Sequence, residues 1–460
     1  MPVSSHYSPL AFARPYATSL ARMQPRARTI YALATPPGRG GVAVIRISGA
    51  EAAQVLSRLT TLPAPRKAAL RTLKNGEKIF DRALCLYFPA PHSFTGEEVV
   101  ELHLHGGRAV VKTMLDYLGT LPGLSLAEPG EFARRAFMNG KLDLAEAEGL
   151  ADLINAETDA QHRQAMRQFS GENSAIYESL RQSVIKPLSF LEAYIDFPEE
   201  EIPPQVLQEV ERDISALKAK ITQLLDDGAI GEQIREGLEI ALVGAPNAGK
   251  STLMNALTKR DISIVSAEAG TTRDVIEVPL DIGGYKVTLV DMAGIRDSQH
   301  EIERQGIDRA RKKIGEAALK LLLIDVVANA EIHRESLALM DDHTLLIYTK
   351  CDLAHPPITP SPALAVSAET GEGIEQLIAS IHQWLDEKFT ALPSPLITQS
   401  RHREALADAL VALERFSSEL PIEIQCEELR HAAFAIGKVT GKIEVDDILD
   451  LVFSSFCIGK

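Results

Sequence analysis

Residues 239–251 read EIALVGAPNAGKS, and most of the fold follows from them. The apolar run 239–243 has the length and composition of a buried strand. It runs into Gly244-Ala-Pro-Asn-Ala-Gly249-Lys250-Ser251, a complete GxxxxGKS. Glycines let the backbone curl so that successive N–H groups face phosphate oxygens. A helix starting near Lys250 adds the positive end of its dipole. There Lys250 reaches the β- and γ-phosphates, the Ser251 hydroxyl ligates Mg²⁺, and Asn247, Ala248, Gly249 and Thr252 complete the phosphate-binding set. Strand, loop and helix in this order predict a doubly wound α/β domain with its ligand at the C-terminal ends of the strands.

Downstream, Gly270-Thr-Thr-Arg-Asp274 lies where a switch loop belongs, and Thr272 offers a second hydroxyl to Mg²⁺. Residues 287–290 read as a strand that delivers Asp291-Met-Ala-Gly294. Asp291 holds the metal through water, and the Gly294 N–H meets the γ-phosphate. The most apolar run, 321–327, is interrupted by Asp325 and reads as a buried strand. Residues 345–348 lead into Thr349-Lys350-Cys351-Asp352. The Asp352 carboxylate only accepts, so it pairs with the ring N–H and 2-amino hydrogens of guanine, which adenine lacks. Ser367-Ala368 follows another short strand and braces the base through a backbone N–H. These five elements, in order over residues 238–384, read as a magnesium-dependent GTP hydrolase.

Two residues depart from the usual pattern. Thr349 stands where NKxD has asparagine. A hydroxyl makes fewer bonds than an amide, which predicts lower affinity for the base. Ile295 stands where Ras-like proteins use a glutamine to orient the attacking water, and isoleucine cannot do that. A polar residue must come from elsewhere. Glu301 and Glu303 are candidates, although acids at a helix start are usually solvated.

Length and charge bound the rest. The 460 residues suggest about three domains. Hydrophobic residues make up 45% and charged residues 24%, ordinary for a globular protein. No apolar run is long enough to span a membrane. The net charge of −15 opposes binding of nucleic acid by bulk electrostatics, so any such contact needs a local basic patch or a second protein. Cys85, Cys351, Cys426 and Cys457 form no CxxC, which argues against zinc or disulfides and suits a reducing compartment; a cytoplasmic location is expected. Before the first acid, Glu51, lie Arg14, Arg22, Arg26 and Arg28 among Ser, Ala and Pro. That stretch reads as a disordered tail or an over-extended start with Met23 as the true one. An organellar transit peptide is the alternative.

Periodicity divides the chain. Strands are expected at 42–47, 83–88 and 99–104, and helices at 50–59 and 109–118, making an α/β domain over 29–140 after an extension at 1–28. Residues 141–235 read as helix, broken by the acidic DFPEEEIPP at 196–204. The G domain occupies 236–388, and helix returns over 389–460 after a proline-containing joint at 391–395. A nucleotide-binding unit flanked by helical sequence predicts an insertion into one all-α domain. His103 and His105 form HLH with no third ligand in view, so a structural role is expected for them.

Several motifs remain. Ala34-Thr-Pro-Pro-Gly-Arg-Gly-Gly41, Ser93-Phe-Thr-Gly-Glu97, Pro129-Gly-Glu-Phe132, Asn139-Gly-Lys-Leu-Asp143 and Cys457-Ile-Gly-Lys460 resemble those of the MnmE/TrmE family of tRNA-modification GTPases. The resemblance covers residues 29–460. It implies a multidomain α/β plus α chain: an N-terminal α/β tetrahydrofolate-binding domain, an all-α helical domain and an inserted Ras-like doubly wound G domain. It also implies a homodimer that joins an FAD-dependent MnmG-type partner in a heterotetramer. The implied reaction adds a carboxymethylaminomethyl-type group to carbon 5 of the wobble uridine of tRNA. Its one-carbon unit comes from 5,10-methylene- or 5-formyl-tetrahydrofolate.

Arg46, Glu101, Lys141 and Lys460 fall on the family's folate positions. Asn247 falls on the side-chain ligand of a K⁺ that replaces an arginine finger, with carbonyls of Ser266, Glu268 and Thr271 completing the shell. Glu303 falls on the family's catalytic glutamate. Met292 replaces the threonine usual in the family's DTAG, which is expected to matter little. Cys457 sits on the family's C-terminal cysteine and is expected to be a small buried residue. The competing reading is a regulatory or ribosome-assembly GTPase, which usually adds a basic RNA-binding module not evident here.

Overall fold

The structure, a computed structural model, describes residues 28–196, 204–227, 229–258, 276–291, 317–338, 340–357, 363–390, 396–442, 452–453 and 456–459. These fall into two compact units. One lies within Met1–Ala151 and Thr440–Lys460, the other within Asp152–Val439.

The first unit is built on a six-stranded sheet: β1 (Thr29–Leu33), β2 (Val42–Ser48), β3 (Ala69–Asn75), β4 (Lys78–Phe88), β5 (Val99–His105) and β6 (Leu124–Leu126), in the order β3-β4-β5-β2-β1-β6. The pairs are antiparallel except β1 with β6. Alternation assigns the faces. Ile45 and Ile47 of β2 and Val100, Leu102 and Leu104 of β5 are buried against α1 (Ala52–Leu59) and α2 (Arg108–Gly119). Each such side chain contributes about 1.5–3 kcal/mol of hydrophobic stabilisation. The residues between them, Arg46 and Glu101, therefore belong to the opposite face. Strands β1, β3 and β6 were not expected. β3 is an edge strand with only Leu73 buried, so its alternation is faint. α3 (Glu131–Met138) and α4 (Leu144–Asn155) follow, and Ala133, Leu144 and Ala147 pack with Val452, Phe453 and Phe456 from the end of the chain.

The second unit holds α5 (Asp159–Phe169), α6 (Glu172–Asp196), α7 (Pro204–Asp227) and α8 (Ala229–Glu236), then β7 (Leu238–Gly244) and α9 (Lys250–Thr258). The hairpin β8 (Ile276–Ile282) and β9 (Tyr285–Asp291) comes next, followed by β10 (Leu319–Asp325), α10 (Ala330–Leu337), β11 (Thr344–Thr349), β12 (Ala363–Val366) and α11 (Ile374–Thr390). α12 (Ser400–Arg415) and α13 (Ile422–Thr440) complete the set. Its sheet runs β12-β11-β10-β7-β9-β8 and is parallel except for β8. β10 ends at Asp325, two residues before the apolar run does, because the Asp325 carboxylate turns back to accept from the Val327 N–H. Val327 is left exposed.

Helices from both sides of this sheet in sequence share one core. Leu180, Val184 and Leu191 of α6 and Ile214 and Ile221 of α7 pack with Leu406 and Leu413 of α12 and Leu429 and Ile436 of α13. The chain enters the sheet unit from α8 and leaves it after α11. The connectors 197–203 and 391–395 lie outside the described residues.

Candidate nucleotide-binding site

The phosphate loop leaves β7 at Gly244, with φ +152°. A Cβ there would sit 2.4 Å from the Leu323 carbonyl oxygen of β10, a backbone atom that cannot give way, so only glycine fits. Asn247, exposed in the loop, has φ +65°. Lys250 opens α9, and its Nζ donates to the carbonyls of Gly244 and Ala245 at 2.8 and 3.0 Å. Burial pushes the Lys250 ammonium below the usual lysine range, and the Asp291 carboxylate opposes that shift. A phosphate arriving at the loop would relieve this burial of unpaired charge.

Asp291 is buried at the end of β9 and accepts from the Ser251 hydroxyl at 2.8 Å. With its hydrogen committed to the carboxylate, the Ser251 oxygen keeps lone pairs for a hard cation. Thr252, next along α9, is exposed. This brings together the described part of the expected magnesium set. Ser266, Glu268, Thr271, Thr272, Met292, Gly294, Ile295, Glu301 and Glu303 lie outside the described residues.

The base loop is assembled from β11 and β12. The Asp352 carboxylate accepts from the Ser367 hydroxyl at 2.6 Å. Ser367 is fully buried, its N–H donates to the Glu372 carbonyl, and its hydroxyl accepts from the Thr370 N–H. Asp352 itself is exposed, and Ala368, which follows Ser367 in the chain, is half-buried. Lys350, with φ +59°, donates to Asp325 at 2.6 Å. Thr349 is buried and donates to the Ala248 carbonyl of the phosphate loop at 2.8 Å. The sequence missed Asp325 as a partner of this loop. Its only signal was a charge ending an apolar run.

The family descriptions that match are GTP-binding protein TrmE N-terminus, over residues 29–141, and MnmE helical domain, over residues 144–457. The tRNA modification GTPase MnmE of Parvibaculum lavamentivorans is 48% identical over 440 residues, which cover 94% of this chain and 100% of its own. The protein of the same name from Paramagnetospirillum magneticum is 47% identical over 439 residues, 94% of this chain and 99% of its own. The chain belongs to the MnmE family of tRNA modification GTPases.

In this MnmE family member, register pairs Arg46 of β2 with Glu101 of β5. The guanidinium donates to the carboxylate at 3.0 Å and lies over the rings of Phe94 and Phe132 at 5.5 and 5.7 Å. His103 also reaches Glu101, at 3.3 Å, and His105 is held by Asp81 at 2.7 Å. Beside them Glu97 accepts from Ser48 and from Arg135, and Asn139 donates to the Thr95 carbonyl. The Lys141 Cε stands 3.3 Å from where a Cβ on Gly96 would lie. Glu97, Thr95 and Asn139 lie inside the 93–97 and 139–143 motifs, whose pattern alone assigns them no role.

The chain end returns to this unit. Ile458 bridges to Pro129, and the Gly130 N–H donates to the Cys457 carbonyl at 3.5 Å. Cys457 is exposed rather than buried as expected, because Phe453 and Phe456 fill the apolar space and leave the next side chain outside. Lys460 lies outside the described residues. Among the described residues no helix is long and apolar enough to cross a membrane.

Proposed function

We propose that this tRNA modification GTPase couples Mg²⁺- and K⁺-dependent GTP hydrolysis to folate-dependent modification of the wobble uridine. It acts as a homodimer with an FAD-dependent MnmG-type partner, in the cytoplasm. The observation that carries the GTP reading is the exposed Asp352 carboxylate fixed by buried Ser367 at the end of the sheet. A rigid acceptor in that place selects a base with two adjacent donors.

The roles divide as follows. Lys250 leaves its carbonyl partners for the β- and γ-phosphates. Ser251 and Thr272 supply hydroxyl oxygens to Mg²⁺, and Asp291 orients Ser251 and a bound water. The cation, when present, neutralises charge developing on the transferred phosphoryl group. Gly294 offers its N–H to the γ-phosphate. Asn247, with Ser266, Glu268 and Thr271, holds K⁺. Glu303 positions the attacking water in place of the glutamine that Ile295 displaces. Arg46, Glu101, Lys141 and Lys460 bind tetrahydrofolate. The aromatic rings around Arg46 suit a flat heterocycle, and the Glu101 carboxylate suits its amide and amino hydrogens.

The test is turnover of GTP by the full chain in K⁺ and in Na⁺, with Glu303→Ala alongside. Faster turnover in K⁺, abolished by the substitution with nucleotide binding retained, is expected. Equal rates in both salts, or near-normal turnover in the variant, reject the mechanism. Uptake of 5-formyltetrahydrofolate separates this reading from that of a ribosome-assembly switch, which takes up none. Mass spectrometry of wobble uridines from cells lacking the gene identifies the product.

A further inference from the structure

Position 349 carries threonine where the guanine-recognition motif usually carries asparagine, and the difference lies in donors. An amide has two N–H hydrogens, whereas a hydroxyl has one. Thr349 has already committed its hydrogen. Oγ1 donates to the Ala248 carbonyl at 2.8 Å, with the Ile324 carbonyl at 3.4 Å as a weaker second acceptor. The residue is only 6% exposed. Its Cβ also lies 3.8 Å from the point a Cβ on Gly249 would occupy, so the side chain is wedged under the phosphate loop.

The neighbouring side chains point the same way. Ser367 donates to Asp352 and Lys350 donates to Asp325, each at 2.6 Å. Among the described side chains of this loop, the one that stays open to a base is the Asp352 carboxylate, which accepts and does not donate. It matches the ring N–H and 2-amino hydrogens of guanine. It cannot meet the nitrogen at purine position 7, which is itself an acceptor.

We propose that Thr349 is a bracket fastening the phosphate loop to the sheet, and that this chain recognises its purine by the ring N–H and 2-amino hydrogens without reading the nitrogen at position 7. The inference rests on the GTPase reading and narrows its specificity. Guanine nucleotides in which that nitrogen is replaced by carbon are equal ligands, and adenine nucleotides are not.

The full chain is titrated calorimetrically with GDP, 7-deaza-GDP and ADP in Mg²⁺ and K⁺. The expected result is affinities for the first two within about twofold of each other. Any larger preference for GDP, toward the roughly fivefold worth of one neutral hydrogen bond, overturns the proposal. If GDP binds no better than ADP, the GTPase reading fails instead. Thr349→Val keeps the shape and removes the hydrogen, so it should weaken GDP and 7-deaza-GDP equally, by about tenfold. Thr349→Ser should restore both. Loss of GDP affinity alone means that the hydroxyl reads the base, and unchanged affinity for both removes the bracket. Should the valine variant fail to fold, the wild-type comparison and the serine variant still decide.

Discussion

Asp352 and Ser367 show how much one hydrogen bond can organise. An exposed carboxylate on a loop samples several rotamers, and the 2.6 Å bond from a buried hydroxyl selects one. Ser367→Ala removes a bond to a charged group, about 1.5–3 kcal/mol, and should lower GTP affinity by about tenfold or more without unfolding the sheet. Titration beside a melting curve checks both halves. Asp352→Asn replaces an acceptor by a donor. Affinity for GTP should fall by at least about a hundredfold, and xanthosine triphosphate, which presents an acceptor at position 2, should bind better than GTP. Unchanged GTP affinity in a calorimetric comparison contradicts the pairing argument. The Thr349 hydroxyl, from which weaker base binding is expected, donates to the phosphate loop.

The β8–β9 hairpin is the element whose packing the sequence disclosed least. Its two-residue turn, Gly283-Gly284, has positive φ at both positions, +62° and +87°, the requirement of a tight hairpin turn. The Gly284 carbonyl accepts from the Ala160 N–H at the start of α5, and Lys286 pairs with Glu157 at 2.7 Å. Ala160 is buried in the core of the nucleotide-binding sheet, so the helix start is part of that sheet's packing. Gly283→Ala would force a left-handed alanine at about 1–2 kcal/mol and push its Cβ to 1.9 Å from His382, whose ring must swing aside. Urea unfolding should register that loss. A variant as stable as the parent would mean that the turn relaxes freely.

At the scale of the molecule, one carboxylate ties together the way into and out of the nucleotide-binding insertion. Asp152 accepts from Arg235, at the end of α8 before β7, at 2.9 Å. It also accepts from Gln399, just before α12, at 3.2 Å. Arg235 before the sheet and Gln399 after it meet at one side chain although they enclose the whole nucleotide-binding sheet. Asp152→Ala should destabilise by about 1–2 kcal/mol, less than a fully buried pair because Arg235 is one-third exposed. Hydrogen exchange should rise around residues 230–236 and 396–400 while nucleotide affinity stays within about twofold. Exchange confined to α4, with residues 230–236 and 396–400 unchanged, would show that Asp152 does not join them.

The sequence by itself disclosed the local pattern of each loop and the chemistry proposed for it. A phosphate loop, a metal aspartate and a guanine carboxylate are local patterns, because a few consecutive residues set the backbone curl and the donor or acceptor that each loop presents. It also disclosed the strands whose apolar alternation is strong, β2 and β5, and missed β3, where one buried leucine carries the pattern. Only the tertiary structure decided which loops hold one another. Thr349 meets Ala248 across 101 residues, and Asp152 meets Gln399 across 247. Arg46 faces Glu101 only because β2 and β5 pair in one register. Such partners are fixed by the packing of whole elements. A pattern a few residues long holds no information about the distant segment that will lie against it.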